Sequence, residues 1–260
     1  MIYIAILTSL IIPLLTIYKK ALTVSASVFA GLLIFLVFFC GGYYSGTLLL
    51  LSYGIIVIID KINKSSIRKI TDSINKKTGT RDLIQVIANG LPALVSIILF
   101  YFTKKEIFVL CYSVGIIESL CDSIASDIGV LSKNTPINIC TLKPIQKGMS
   151  GGISLLGTAS ALIASLTGGA IYLFAYGSCL NGLAIAIFSF LGCIIDSILG
   201  ATVQLKNICA VCNKLTEKDM HCGEKTKYFR GVKAINNCTV NFISNATSVV
   251  LMFIIGFWRM

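Results

Sequence analysis

The segment IFVLCYSVGIIESLCDSIASDI, residues 107–128, decides what kind of chain this is. It is apolar over a length that matches the roughly 20 residues a helix needs to cross a bilayer, yet it carries Glu118, Asp122 and Asp127. On an insertion scale a central Asp costs roughly 2.5–3.5 kcal/mol, and each Leu or Ile returns only about 0.3–0.6. Such a helix keeps its acids only where they face protein, water or a cation. Glu118 and Asp122 are four residues apart, as are Asp122 and Ser126, so all three share one helix face.

Working outward, similar apolar runs recur along the whole chain. Of the 260 residues 56% are hydrophobic and 13% charged, with mean hydropathy +0.88. That composition excludes a soluble enzyme, a disordered chain and a small disulfide scaffold. Spans are predicted at about 2–17, 21–39, 43–59, 84–102, 107–128, 152–174, 179–200 and 239–257, the second and third separated only by Gly41 and Gly42. The expectation is an all-α polytopic membrane bundle of about eight transmembrane helices, forming one membrane domain over residues 1–260. The first span has no basic residues ahead of it and lysines behind it, so it reads as an uncleaved helix rather than a signal peptide.

The net charge of +11 has a topological meaning. All but three of the 22 basic residues fall near Lys19 and Lys20 or in the loops at about 60–83, 129–150 and 201–238. The exceptions are Lys104, Lys105 and Arg259. This alternation is the positive-inside pattern. It puts those loops in the cytoplasm and both termini outside, and it makes the membrane surface, not nucleic acid, the partner of the positive charge. In a prokaryote the location is the plasma membrane. The ten cysteines lie in spans or on the reducing side and form no secreted framework.

The polar groups gather at the cytoplasmic ends of the later helices. CDSIASDIG (121–129) offers two carboxylates around a hydroxyl, hard ligands of the kind that suit Mg²⁺; the alternative is a helix end whose acids meet interfacial water. Asp196-Ser197-Ile198 repeats Asp122-Ser123-Ile124 at the inner end of another inward-running helix. QKGMSGGIS (146–154) is a glycine-rich turn before a helix, where bare N–H groups and Lys147 suit phosphate. A glycine connection for close helix approach explains it equally well. Asn237 and Asn241 share a face at the start of the last span, where capping is the plainer explanation for one of them. Cys209-x2-Cys212-x8-His221-Cys222 matches the ligand set of a structural Zn²⁺ site, with a reduced, metal-free cysteine cluster as the alternative.

In chain order, Arg81-Asp82, Gln85, Asn89-Gly90, the 122–129 and 148–154 motifs, Asp196 to Ala201, the Cys/His loop and Asn236 to Asn241 resemble the integral-membrane "domain of unknown function" family. That family contains plant phytyl-phosphate kinase and animal transmembrane protein nineteen. The likeness covers about residues 20–257. Asp127 stands where the family usually has Glu, and Met149 where it usually has Thr, with Ser150 as the neighbouring hydroxyl. The resemblance implies a CTP-dependent kinase acting on isoprenyl monophosphates, distantly related to polyprenol kinases.

The expected site follows. Asp122, Asp127 and Asp196 hold Mg²⁺ on the nucleotide phosphates, and Arg81 neutralises developing charge. Lys147, Gly148, Ser150, Gly151 and Gly152 hold phosphate oxygens, while Asn89, Asn237 and Asn241 position donor or acceptor. Cys209, Cys212, His221 and Cys222 are the candidate Zn²⁺ ligands. The partners are a nucleoside triphosphate, an isoprenyl monophosphate or prenol, and membrane lipids. A cation- or proton-coupled transporter or lipid flippase using the same carboxylates is the alternative; the sparse polar lining of the outer half disfavours it.

Overall fold

The computed structural model describes residues 2–71 and 80–257, with backbone only at 60, 62–71 and 257. Lys64, Arg68, Lys69, Lys76 and Lys77 of the long basic segment, and Arg259, therefore fall outside the described side chains. Among the described residues there are seven helices: α1 (Ile2–Tyr18), α2 (Val24–Thr71), α3 (Leu83–Thr103), α4 (Ile107–Gly129), α5 (Leu155–Tyr176), α6 (Cys179–Thr202) and α7 (Asn237–Phe257).

The acid-bearing segment is the centre of the bundle. α4 packs against α2, α3, α5, α6 and α7, and 78% of its most apolar window is buried, against 33% for α5 and α7. The outer helices turn large apolar side chains outward, including Leu155 at 84% and Phe174 at 88% exposed. So much exposed apolar surface suits lipid, not water. Of the acids of α4, Glu118 is thus enclosed by protein, while Asp122 and Asp127 are half-buried, facing protein or a polar cavity as a span's acids must.

Among the described residues, six helices are long and apolar enough to cross a membrane, and α1 is a shorter apolar helix. The expected count of eight full-length spans is corrected accordingly. Half of the difference is α1, which falls short of a full span; the other half is α2, where the two expected spans form one helix broken at Gly42, whose φ of 73° and ψ of −162° are not helical. The chain nevertheless turns back there. A Cβ on Gly46 would lie 2.2 Å from the Phe38 ring, although residues eight apart in a straight helix are separated by about 12 Å. Leu22 and Ile56 line the same cavity, which a straight rod of about 50 Å forbids. α2 also runs on to Thr71, beyond the expected span end at 59. Between Asp60 and Thr71 there is no Gly or Pro to stop it.

α1 lies antiparallel to the first arm of α2: Gly31 faces Pro13, and the Thr16 and Ser27 hydroxyls are 2.9 Å apart. At the other terminus, Gly256 of α7 abuts Ile107 at the start of α4. Ile2 and Phe257 therefore lie at the end of the bundle opposite Asp127 and the basic loops.

Those loops hold short strands that the expectation of an all-helical chain did not include. β1 (Ile137–Asn138) pairs antiparallel with β2 (Gly152–Ile153). After α6, β3 (Lys206–Ile208) lies between β4 (Leu215–Thr216) and β7 (Lys227–Arg230), while β5 (Met220–His221) pairs with β6 (Glu224–Lys225). A small β cap therefore sits on the basic end of the helices, with β2 against α6.

Candidate functional site

Helix ends and close glycine contacts build one cavity at the basic end. Its volume is about 670 Å³, and its wall includes Arg81, Asp122, Asp127, Asp196 and Asn237. Gly148, Ser150, Gly151 and Gly152 also line it, with Met149 between them. Four cationic residues, Lys19, Lys20, Lys61 and Arg81, line the same space as the three aspartates.

Arg81 is fixed by the chain on both sides. Its N–H donates to Ala21 O and its carbonyl accepts from Thr23 N, both at 3.0 Å. The next residue, Asp82, caps α3 reciprocally with Gln85: Gln85 N donates to Asp82 Oδ1 at 3.0 Å and Asp82 N to Gln85 Oε1 at 2.9 Å. Arg81 and Asp122 line the same cavity.

The glycine-rich segment is held by contact with backbone. Gly151 has φ +82°, and a Cβ there would lie 2.4 Å from both the N and Cα of Ala201 at the end of α6. Glycine therefore satisfies both the conformation and the approach. Ser154 then caps α5, accepting from Gly157 N at 3.2 Å while donating to Gly129 O at 3.2 Å. A Cβ on Gly157 would lie 2.7 Å from Ala125 O, so the N-terminus of α5 abuts the turn of α4 that carries Asp127.

Behind the aspartates, α7 supplies a polar stripe. Asn241 Nδ2 donates to Asn89 Oδ1 at 3.1 Å and to Asp122 Oδ2 at 3.3 Å. Ser244 Oγ is 3.0 Å from Glu118 Oε1 and 3.2 Å from Asp196 Oδ2. Asn245 Nδ2 reaches Glu118 Oε2 at 2.6 Å and Ser119 Oγ at 2.9 Å, and Ser119 Oγ donates to Asn89 O at 2.8 Å. The Oδ1 atoms of Asn241 and Asn245 are buried without a hydrogen-bond partner. Asn89 and Asn241 stand behind the wall of the cavity, while Asn237 lies on it.

Lys147 is placed elsewhere: its ammonium donates to Ser132 O, and it is not among the residues lining the cavity. A different lysine reaches the glycine-rich segment. Lys206 of β3 is fully buried, and its Nζ donates to Ser150 O at 2.5 Å. Ser150 Oγ donates to Glu217 Oε1 and accepts from Gln204 Nε2, the latter at 2.9 Å. Burial first, then the nearby Arg230 charge, lowers Lys206 to about 8, while Glu217 draws it upward. Burial raises Glu217, and the Ser150 hydroxyl and Lys206 pull against that rise.

The sequence reading omitted Ser244, Asn245, Lys206, Glu217 and Gln204 from the site. A signal existed for the first two, because Asn237, Asn241, Ser244, Asn245 and Ser248 follow helical spacing. The other three lie in short strands and turns with no periodicity to mark them.

Beyond the cavity, Cys209, Cys212, His221 and Cys222 present ligand atoms that all lie within 4.8 Å of one another. Cys209 Sγ accepts N–H groups of Val211 at 3.4 Å and Cys212 at 3.5 Å. Chiefly the Cys212 N–H, and with it the His221 and Val211 hydrogen bonds, hold the Cys209 thiol down to about 6 against the opposing effect of burial.

The helices and this one-sided cavity define a polytopic membrane protein with an acid-lined, cation-rimmed chamber at one end. The chain belongs to the integral membrane protein DUF92 family, whose model matches residues 7–249. It is 32% identical to Protein PGR of Arabidopsis thaliana over 92% of this chain and 91% of that protein. It is 28% identical to an uncharacterized membrane protein of Methanocaldococcus jannaschii over 66% of this chain and 70% of that one. No solved structure matches.

Proposed function

We propose that the protein is a phosphotransferase of the basic membrane face, moving the terminal phosphoryl group of a nucleoside triphosphate to an isoprenyl monophosphate or prenol. The observation that carries this reading is the joint lining of one cavity by Asp122, Asp127 and Asp196 with Arg81, Lys19, Lys20 and Lys61. A polyphosphate needs cations around its oxygens, and a divalent ion bound to those oxygens needs carboxylates. Both sets are present, with the glycine-rich segment 148–152 beside them. The oxygen-only donor set of Asp122, Asp127 and Asp196 fits Mg²⁺, and Asn241 Nδ2 behind them donates to Asp122 Oδ2. Asp122, Asp127 and Asp196 would hold the ion, which when bound supplies charge neutralisation to the phosphate oxygens.

In the transfer, the acceptor oxygen forms a bond to the γ-phosphorus as the bond from that phosphorus to the β–γ bridging oxygen breaks, and nucleoside diphosphate leaves. An alcohol acceptor also gives up its hydroxyl proton to a carboxylate, whereas a monophosphate brings an oxygen already ionised. Arg81 and the rim lysines bear on the charge that develops on the phosphoryl oxygens, so positioning and electrostatics supply most of the rate. CTP is the donor the family likeness favours. The apolar wall formed by Leu22, Ile56, Phe190 and Ile194 suits the first isoprene units of the acceptor.

The test is purified protein with Mg²⁺, each nucleoside triphosphate in turn, and a panel of prenols and prenyl monophosphates. Transfer that disappears in Asp122→Asn supports the proposal. No transfer with any pair, together with cation uptake into liposomes that Asp122→Asn impairs, replaces it with the transporter.

A further inference from the structure

The ligand cluster in the β cap lies outside the cavity, yet the chain that carries it runs directly into the cavity wall. Cys209 follows β3 and Cys212 follows within the β3–β4 turn, which is closed by Cys209 N to Lys214 O at 3.0 Å and Asn213 N to Cys209 O at 3.1 Å. Asn213 takes the left-handed conformation that this tight turn requires, φ 55°. His221 and Cys222 come from the β5–β6 hairpin, where Cys222 has φ 54° and Gly223 φ 83°. Two separate turns are thus bent to aim four soft donors at one point.

The spacing of the donors suits a tetrahedral ion. Zn–S near 2.3 Å and Zn–N near 2.0–2.1 Å place sulfur and nitrogen about 3.5 Å apart around the metal. His221 Nδ1 is 3.5 Å from Cys212 Sγ and 3.2 Å from Cys222 Sγ. The two N–H groups on Cys209 Sγ orient that sulfur and stabilise it as a thiolate, as a metal ligand requires. Three thiolates and one imidazole select zinc over hard cations.

From these ligands and the strands they close, we infer that Cys209, Cys212, His221 and Cys222 bind one structural Zn²⁺, and that this ion holds the glycine-rich wall of the cavity in place through β3 and β4. The link is short. Lys206 begins β3 and Glu217 follows β4, and the strands pair at Asn207 with Thr216 and Ile208 with Leu215. The base of the metal-closed hairpin therefore carries the two side chains that grip Ser150, Lys206 on its carbonyl and Glu217 on its hydroxyl. Metal loss frees the turn, lets β3 and β4 part, and releases residues 148–152. No redox or transfer step is involved, and the inference stands independently of phosphotransfer.

The experiment uses the full-length protein in detergent. Elemental analysis of the wild type is expected to find about one zinc per chain, retained in Cys179→Ser, whose cysteine lies at the opposite end of α6, and lost in Cys212→Ser and Cys222→Ser. Stripping the wild type with a zinc chelator avoids any folding defect of the variants. Hydrogen exchange at 148–152 is expected to rise about tenfold or more on stripping and to recover on adding Zn²⁺ alone. A wild type purified under reducing, zinc-replete conditions without stoichiometric zinc, or with a disulfide among these cysteines, overturns the site. Zinc that binds and leaves with no change in exchange at 148–152 overturns the coupling.

Discussion

The carboxylates of Glu118 and Asp196, on different helices, share a single hydroxyl: Ser244 Oγ is 3.0 Å from Glu118 Oε1 and 3.2 Å from Asp196 Oδ2. One hydroxyl hydrogen cannot serve both acids at once, and Glu118 has a second donor in Asn245 Nδ2 at 2.6 Å. The close approach is built into the helices. A Cβ on Gly192 would lie 2.1 Å from Ser248 Oγ and 2.5 Å from Glu118 Cγ, so only glycine lets α6 come this near α4 and α7. The two acids differ in access. Asp196 lines the cavity, whereas Glu118 is buried behind it at 2% exposure.

That difference separates their roles. If the proposed phosphotransfer holds, Asp196→Asn is expected to lower it by about 10²-fold or more, because a carboxylate that would face the phosphates loses its charge. Glu118→Gln keeps an acceptor for Ser244 and Asn245 and is expected to retain activity within about tenfold. Initial rates over a Mg²⁺ titration check this: the Mg²⁺ requirement should rise in the Asp196 variant and stay near wild type in the Glu118 variant.

Gly151→Ala is expected to cost about 2 kcal/mol or more of stability, because the φ of +82° is unfavourable for alanine and its Cβ would lie 2.4 Å from the Ala201 backbone. Gly54→Ala, where a Cβ meets nothing within 4 Å, is expected to be neutral or to stabilise by about 0.5–1 kcal/mol through helix propensity. Thermal unfolding in detergent distinguishes them. Equal melting temperatures would remove the argument that residue 151 must be glycine.

Much of this arrangement was legible in the sequence, for reasons that differ by residue. Acids inside apolar runs are costly enough to be conspicuous, so Asp122, Asp127 and Asp196 stood out and share one cavity. The charge alternation places Arg81 and the glycine-rich segment at the same end. Lys206 was not legible: among seven basic residues of its loop, only the register of a three-residue strand turns it inward, and strands that short carry no periodic signal. Lys147 was conspicuous beside its glycines, yet its side chain turns to Ser132. The helical continuation to Thr71 escaped notice because hydropathy reports where a membrane ends, not where a helix does.

The buried lysine should also appear in the dependence of stability on pH. Lys206 is lowered from 10.5 to about 8, so between those values the unfolded chain binds the proton and the folded chain does not. Stability attributable to this residue therefore rises with pH across that window, and the penalty for charging it is fully present below about 8. In Lys206→Met that rise is absent. Melting temperatures of the wild type and variant at steps from pH 7 to pH 10.5 should give a difference that changes across the window; a constant difference would contradict a buried, depressed Lys206.

The fold-back at Gly42 fixes which side of the membrane each part of α2 faces. Lys20 and Lys61 both line the cavity, whereas Tyr43, just past the break and 55% exposed, lies near the other end, beside Tyr44, whose ring sits 5.0 Å from that of Tyr176. Single variants Lys20→Cys, Tyr43→Cys and Lys61→Cys, treated in sealed vesicles with a membrane-impermeant thiol reagent and read by peptide mass spectrometry, give the orientation against the native cysteines as internal controls. Residues 20 and 61 should be modified from the same side and residue 43 from the opposite one. Modification of 20 and 61 from opposite sides would mean that 24–59 crosses once as a straight helix. Lys61 could not then stand over the same aspartates as Lys20, and the cationic rim of the cavity would lose one of its four members.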